Sequence, residues 1–346
     1  MTTALPAQIK QAFTKLGQYM LSSADEEFKG LIKSAQHHNA WFTPAETARA
    51  VKAIGEMLNE SDLSQWLEKE YTLAQSRGEA GSKIIGLVLA GNIPLVGFHD
   101  ILCVLASGHT ALIKLSSQDK YLTPFLLKKL SEFDEYFASH VQYTERLENF
   151  DAVIATGSNN TSRYFDYYFR NVPHIIRKNR NSIAILTGSE SRTDLEALGN
   201  DIFNYFGLGC RNVSKLFVPA GYDFVPFFEA IESFKEVINH HKYSNNYDYN
   251  KSIYLVNREA HLDNGFLLLR QSDAFSSPLA ALYYEEYSDL AALQANLAAR
   301  AEEIQCVVCG DAVPGIEEPI GFGNSQQPRL WDYADGVNTM QFLLTL

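Results

Sequence analysis

Cys210 stands directly behind two glycines in the run Asn204-Tyr205-Phe206-Gly207-Leu208-Gly209-Cys210-Arg211-Asn212-Val213. Small residues let a backbone pass close to a ligand. A thiol at such a turn, between a helix and a strand, faces an open cleft, which is the setting a nucleophilic cysteine needs. Arg211 beside it favours the thiolate. An isolated cysteine is more often a small core residue, but Gly-x-Gly-Cys-Arg-Asn is too polar and too rich in glycine for a core. Two further segments give the thiol a context. Gly91-Asn92-Ile93-Pro94 follows an apolar strand, so Asn92 stands where parallel sheets gather their ligands, and its amide suits a carbonyl oxygen that gains negative charge. Thr156-Gly157-Ser158 follows another strand and opens a helix, with backbone and hydroxyl donors suited to a cofactor phosphate or ribose. Lys114, with Ser116 and Ser117 after it, ends a third strand and reaches toward the same kind of group. The plainer readings are a turn asparagine, a helix cap and a solvated strand end. Together the three segments imply sulfur attack on a carbonyl coupled to hydride transfer.

The elements that must hold these residues follow from the hydrophobic pattern. Residues 9–36, 44–58 and 62–76 read as helices, the second opened by Thr43-Pro44-Ala45-Glu46 with a capping threonine and a proline in the first turn. From residue 83 onward, strands and helices alternate. Strands are expected at 83–89, 110–115, 141–146, 152–156 and 182–187, with helices at 95–106, 121–133 and 158–171 between them. This spacing implies an α/β fold with right-handed crossovers and mostly parallel sheets. A second alternating region begins after Thr187-Gly188-Ser189: helix 192–205, strand 214–219, helix 223–239, strands 252–256 and 279–284, helix 290–299 and strand 305–309. Residues 240–247 read as a polar, aromatic loop, and 332–346 as a short terminal helix.

Bulk properties narrow the function. The 346 residues are 46% hydrophobic, ample for a large core, and at roughly 100–200 residues per domain the length favours two. A net charge of −12 speaks against nucleic acid, since phosphate neutralisation needs a basic surface. Four cysteines are too few for a disulfide framework and point to a reducing, cytoplasmic setting. The amino-terminal stretch lacks the basic flank and long apolar run of a signal peptide. The apolar region 84–115 is interrupted by Gly91-Asn92, Pro94 and His99-Asp100, and no run reaches about 18 residues, so no membrane span is expected. Cys306-Val307-Val308-Cys309 lies in a strand-like run with no second ligand pair and reads as buried structure rather than a metal or redox motif. The adjacent histidine pairs 37/38 and 240/241 diverge on any regular element and read as surface residues, so no metal is expected.

In this order these segments resemble the aldehyde dehydrogenase superfamily, and more closely its acyl-CoA reductase branch. The likeness runs from about residue 83 to the C-terminus. Ala90-Gly91-Asn92-Ile93-Pro94 matches the oxyanion-asparagine segment, Gly108 to Ser116 the cofactor strand with Lys114 as the ribose-binding lysine, Thr156-Gly157-Ser158 the T-G-S segment, and Gly209-Cys210 the nucleophile segment. Gly321-Phe322-Gly323 resembles a late glycine-rich segment. The resemblance implies two α/β domains with the active site in the cleft between them. Residues 1–188 would be N-terminal helices plus a nucleotide-binding domain, and 189–312 the cysteine domain. Residues 313–346 would be a return segment packed on the first domain or on an oligomer interface. Superfamily members usually form dimers, so a homodimer is also implied.

The departures bear on the reaction. The glutamate that activates water in hydrolytic members falls on Ile176, so the implied acyl-enzyme exchanges with coenzyme A instead of being hydrolysed. The acidic residue that holds the ribose 2′-hydroxyl falls on Ser117, which tilts the cofactor to NADPH, with NADH still open. The glutamate that holds the nicotinamide ribose falls near Ala274, with Asp273 as its substitute. Arg177-Lys178-Asn179-Arg180 is a candidate contact for a coenzyme phosphate, against an equally weighted reading as a solvated loop. The implied activity is reduction of an acyl-CoA to an aldehyde, with Cys210 and Asn92 catalytic and Lys114, Ser116, Ser117, Thr156, Gly157, Ser158 and Gly209 at the cofactor. Two alternatives stay open: a semialdehyde or acyl-phosphate reductase, and a non-catalytic binding subunit. Residues 243–254 and Phe227-Phe228 are candidates for a substrate pocket.

Overall fold

A computed structural model describes residues 4–74, 81–157, 159–310, 313, 315–316 and 318–346. The chain forms two compact units, Met1–Asn179 with Pro328–Leu346, and Arg180–Gln327.

The first unit begins with α1 (Ala4–Ser22), α2 (Glu26–Ser34), α3 (Pro44–Met57) and α4 (Glu60–Ala74). The single helix expected over 9–36 breaks at Asp25, whose carboxylate accepts from the Glu27 and Phe28 amides and caps α2. Alternation follows: β1 (Ile84–Val88), α5 (Phe98–Ala106), β2 (Thr110–Lys114), α6 (Leu122–Phe133), α7 (Tyr136–His140), β3 (Val141–Tyr143), β4 (Ala152–Thr156), α8 (Asn159–Phe169) and β5 (His174–Arg177). The five strands are parallel in the order β3-β2-β1-β4-β5. The order reverses at β1/β4, the point where doubly wound sheets bind ligands. Every residue of helix α5 except half-buried His99 is buried, which is why its sequence is mostly apolar.

The return segment closes this unit through its terminal helix (Thr339–Leu344), which packs on α4 and α5. Buried polar side chains fix it. His109 accepts from the Lys83 amide and donates through Nε2 to the Leu343 carbonyl at 3.0 Å, a neutral tautomer that agrees with burial lowering its pKa. The fully buried Glu70 accepts from Tyr333, Asn338 and Gln341. Arg177 grips both oxygens of Asp100 at 2.6 and 3.0 Å and donates to the Ala334 carbonyl and Thr339 Oγ1.

The second unit comprises β6 (Asn181–Ile185), α9 (Arg192–Phe203), β7 (Val213–Pro219), α10 (Val225–Ala230), α11 (His241–Asn257), β8 (Leu262–Asp263), β9 (Leu268–Gln271), β10 (Ala281–Tyr287), α12 (Leu290–Ala299) and β11 (Ile304–Cys309). Its sheet order is β11-β6-β7-β10-β9-β8, parallel except at β8. The changeovers at 179/180 and 327/328 differ from the expected 188/189 and 312/313. The reason is that β6 ladders with β7 and β11 and so belongs to the second sheet.

Residues 240–257 hold no loop and no strand: 241–257 are one helix. Tyr243, Tyr247, Asn250 and Tyr254 recur every three or four residues and are buried. Tyr243 donates to the Phe266 carbonyl, Tyr247 to Asp263, and Asn250 to the Leu279 carbonyl. Phe227 is likewise fully buried. Tyr243, Tyr247, Tyr254 and Phe227 thus pack in the unit's own interior. Strand β5 and the short strands β8 and β9 were not expected.

The Arg177–Asp100 pair gives a direct test of the first unit. Arg177→Leu strands a buried carboxylate, which typically costs about 3–5 kcal/mol. Urea unfolding is expected to show that loss. A change below about 1 kcal/mol would mean that the pair contributes little.

Candidate active site

In the first unit, three sequence-chosen segments converge on the carboxyl edge of the sheet. Val88, the last residue of β1, is in register with Lys114 at the end of β2 and with Ala155 on β4. The loop carrying Asn92, the Lys114-Ser116-Ser117 stretch and Thr156-Gly157 therefore leave the sheet side by side. Contact is close: a Cβ on Gly91 would come within 2.3 Å of Ser116 Oγ and 2.8 Å of its Cβ, so only glycine fits between the two loops. Asn92 is exposed while Gly91, Pro94 and Leu95 around it are buried. Lys114 Nζ donates to the Glu145 carbonyl at 2.6 Å. Ile176, the position to which the resemblance assigns the water-activating glutamate, is on β5, level with Ala155. Ser158 lies outside the described residues.

Arg177 is neither a phosphate contact nor part of a solvated loop: its guanidinium is buried against Asp100. A desolvated cation needs a paired, hydrogen-bonded carboxylate, and Arg177 has spent its donors on the fold. Lys178 is exposed and lies 3.8 Å from Asp166.

In the second unit, the cysteine turn is built from backbone strain and one asparagine. After α9 the chain turns through Tyr205, Phe206 and Gly207 with φ of 53°, 56° and 78°. Two consecutive bulky residues in the left-handed region cost on the order of 1–3 kcal/mol each and persist only where surroundings enforce them. Asn212 supplies that enforcement. It is 3% exposed, and its Nδ2 donates to the Asp201 and Asn204 carbonyls at 3.0 and 2.8 Å, while its Oδ1 accepts from the Gly209 amide at 2.8 Å. One side chain thus satisfies the end of α9 and fixes Gly209. Buried Ser182 on β6 donates to the Cys210 carbonyl at 2.9 Å. The Cys210 side chain is exposed and its thiol is not in a disulfide. Asp201, fully buried, accepts from the Gly323 and Ser325 amides at 2.6 and 2.9 Å and so anchors the Gly321-Phe322-Gly323 turn to α9.

The loop after β9 is equally constrained. Lys215, fully buried on β7, donates to the Ser272 carbonyl and pairs with Glu285; burial lowers its pKa. Ser214 holds the Phe275 carbonyl. Arg300 lies 3.7 Å from the Phe275 ring centroid and donates to the Asp273 carbonyl. Asp273 is exposed on this loop.

The family model for acyl-CoA reductase (LuxC) matches residues 18–231. The chain belongs to this LuxC acyl-CoA reductase family, and it is accordingly an aldehyde-related reductase. No curated protein matches. Among solved structures, the LuxC-family fold is similar to an NAD-dependent aldehyde dehydrogenase from Sinorhizobium meliloti, at 12% identity and a TM-score of 0.64, covering 89% of this chain and 70% of that one. It is similar to an NAD-dependent benzaldehyde dehydrogenase from Corynebacterium glutamicum, at 12% identity and a TM-score of 0.61, covering 89% and 77%. It is also similar to a propionaldehyde dehydrogenase from the Clostridium phytofermentans fucose utilisation microcompartment, at 8% identity and a TM-score of 0.57, covering 90% and 79%. These establish an aldehyde-dehydrogenase-like α/β fold. Among the described residues no helix is long and apolar enough to cross a membrane.

Sequence reading missed Asn212, Ser182, Asp201 and Lys215. Only Asn212 carried a signal, as an asparagine three residues past a glycine in a turn.

The two thiols near this turn are expected to differ in reactivity. Cys306 shares a 2.9 Å contact with Ser182 Oγ, and burial pushes its thiol up to about 11. Its thiolate therefore forms only as pH rises toward that value, whereas exposed Cys210 meets reagent directly. Iodoacetamide at neutral pH, read by peptide mass, is expected to label Cys210 first and Cys306 only in strong alkali. Equal labelling at neutral pH would contradict this.

Proposed function

We propose that this LuxC-family chain reduces an acyl-CoA thioester to an aldehyde with NADPH, through an acyl group carried on Cys210. The observation that carries the reading is an exposed cysteine on a turn whose backbone is fixed by Asn212 and Ser182. A fixed turn presents its sulfur and its amide in one geometry, and positioning of this kind is a large part of catalysis.

The Cys210 thiolate attacks the thioester carbonyl carbon, forming a carbon–sulfur bond and an oxyanion. The Cys210 N–H is the proposed donor to that oxyanion, with the Asn92 amide as the second donor that the family resemblance implies. Collapse breaks the bond to the coenzyme, which leaves as a thiolate and takes up a proton. With Ile176 in place of a carboxylate there is no base at that position to activate water, which favours reduction over hydrolysis. The carboxyl edge of β1, β2 and β4 is the candidate seat for a nicotinamide dinucleotide, with Lys114, Ser116, Ser117, Thr156 and Gly157 as its contacts, and Ser117 offers no negative charge to repel a 2′-phosphate. Bound there, NADPH would supply the hydride that releases the aldehyde. Asp273 is the candidate acceptor for the nicotinamide ribose.

NADPH consumption with acetyl-, octanoyl- and palmitoyl-CoA tests the reading. Cys210→Ala is expected to fall to below about a thousandth of wild-type turnover, and Asn92→Ala to lose about 10²–10³ in kcat. Wild-type activity in Cys210→Ala would end this account.

A further inference from the structure

The loop between β1 and α5 makes no ladder of its own between Gly91 and Leu95, yet it is held on three sides. From the helical layer, Asn39 donates through Nδ2 to the Gly91 carbonyl at 3.1 Å, and its Oδ1 accepts from the Trp41 amide at 3.1 Å. From the β2–α6 connection, Asp119 accepts from the Leu95 amide at 2.9 Å. From the end of β2, Ser116 packs against Gly91. Asn39 is 3% exposed and Asp119 7%, so both anchors are shielded from competing water. Leu95 is held at φ 58°, a conformation that costs an aliphatic residue on the order of 1–3 kcal/mol and must be imposed from outside. Between these anchored ends only Asn92 is exposed.

A turn needed merely to join a strand to a helix would not require a left-handed leucine, a glycine in steric contact with the next loop and two buried polar anchors. We infer that Asn39 and Asp119 are positioning residues for Asn92: they fix the peptide planes on either side of it, so that its amide is aimed before substrate arrives. Neither touches the reacting atoms. The inference rests on the proposed role of Asn92, and it extends the site to the N-terminal helical layer. Its energetic logic is preorganisation, in which a donor aimed in advance spends no binding energy on ordering itself. A displacement of about 1 Å at such a donor can cost on the order of 10²-fold in rate.

Asn39→Asp is the selective variant. It keeps the oxygen that accepts from Trp41 and replaces the donor to Gly91 with an acceptor, turning an attraction into a repulsion. Asp119→Asn is the second, keeping one acceptor while setting an N–H against a backbone N–H. The experiment measures kcat/KM for octanoyl-CoA, NADPH affinity by fluorescence, and the melting temperature of the full chain. Both variants are expected to lose roughly ten- to a hundred-fold in kcat/KM, with NADPH affinity unchanged and the fold intact. Combining either with Asn92→Ala is expected to add little, because the aimed group is then already gone. Wild-type kcat/KM in both single variants, or a parallel loss of NADPH affinity that marks general disruption, would overturn the inference while leaving the proposed activity standing. If wild-type protein consumes no NADPH with any of the acyl-CoA probes, the activity itself falls and the inference falls with it.

Discussion

A turn that leaves a buried parallel sheet has no ladder to satisfy its backbone polar groups, and in this chain short buried side chains do so. Asn39 and Asp119 hold the Gly91–Leu95 loop. Asn212 and Ser182 hold the turn before and through Cys210, and Asp201 holds the glycine-rich turn at 323. An orphaned buried amide or carbonyl costs about 1–3 kcal/mol, and these anchors remove that cost. Their consequence for chemistry is that each turn has a single geometry. The left-handed backbone at Leu95, Tyr205 and Phe206 can exist only because of them, and it lies next to the two residues assigned the acyl chemistry.

The same arrangement explains why the chain remains foldable around strained turns. The strain is local, whereas the stabilising burial is spread through each unit's core. In the first unit, α5 and the sheet form an apolar centre sealed by the C-terminal return, which Glu70, His109 and Arg177 fasten. Arg177 is instructive: read from sequence it belongs to a cationic run that could meet a phosphate, but folding places it inside.

The alternating architecture was legible because buried parallel strands read as short apolar runs and helices as capped periodic ones. Strand β4 and helix α12 match their expected limits, and α3 nearly does. The three segments at the first sheet's carboxyl edge were legible too, since a glycine or small polar residue directly after an apolar run marks where a strand hands over to a loop. Helix α11 was not legible, because its inward face is tyrosine and asparagine, whose polar tips find partners only in the tertiary structure. The anchors were equally opaque. Asn39 lies 52 positions from Gly91, Ser182 lies 28 from Cys210, and Asp201 lies 122 from Gly323. Nothing local distinguishes them from surface polar residues.

The central claim is that the Cys210 sulfur takes an acyl group from a thioester. Intact mass of the protein after exposure to octanoyl-CoA without reductant tests it most directly. The account predicts one added octanoyl group, located at Cys210 by peptide mapping, removed by hydroxylamine and absent in Cys210→Ala. No adduct with any acyl-CoA, or an adduct on another side chain, would contradict it.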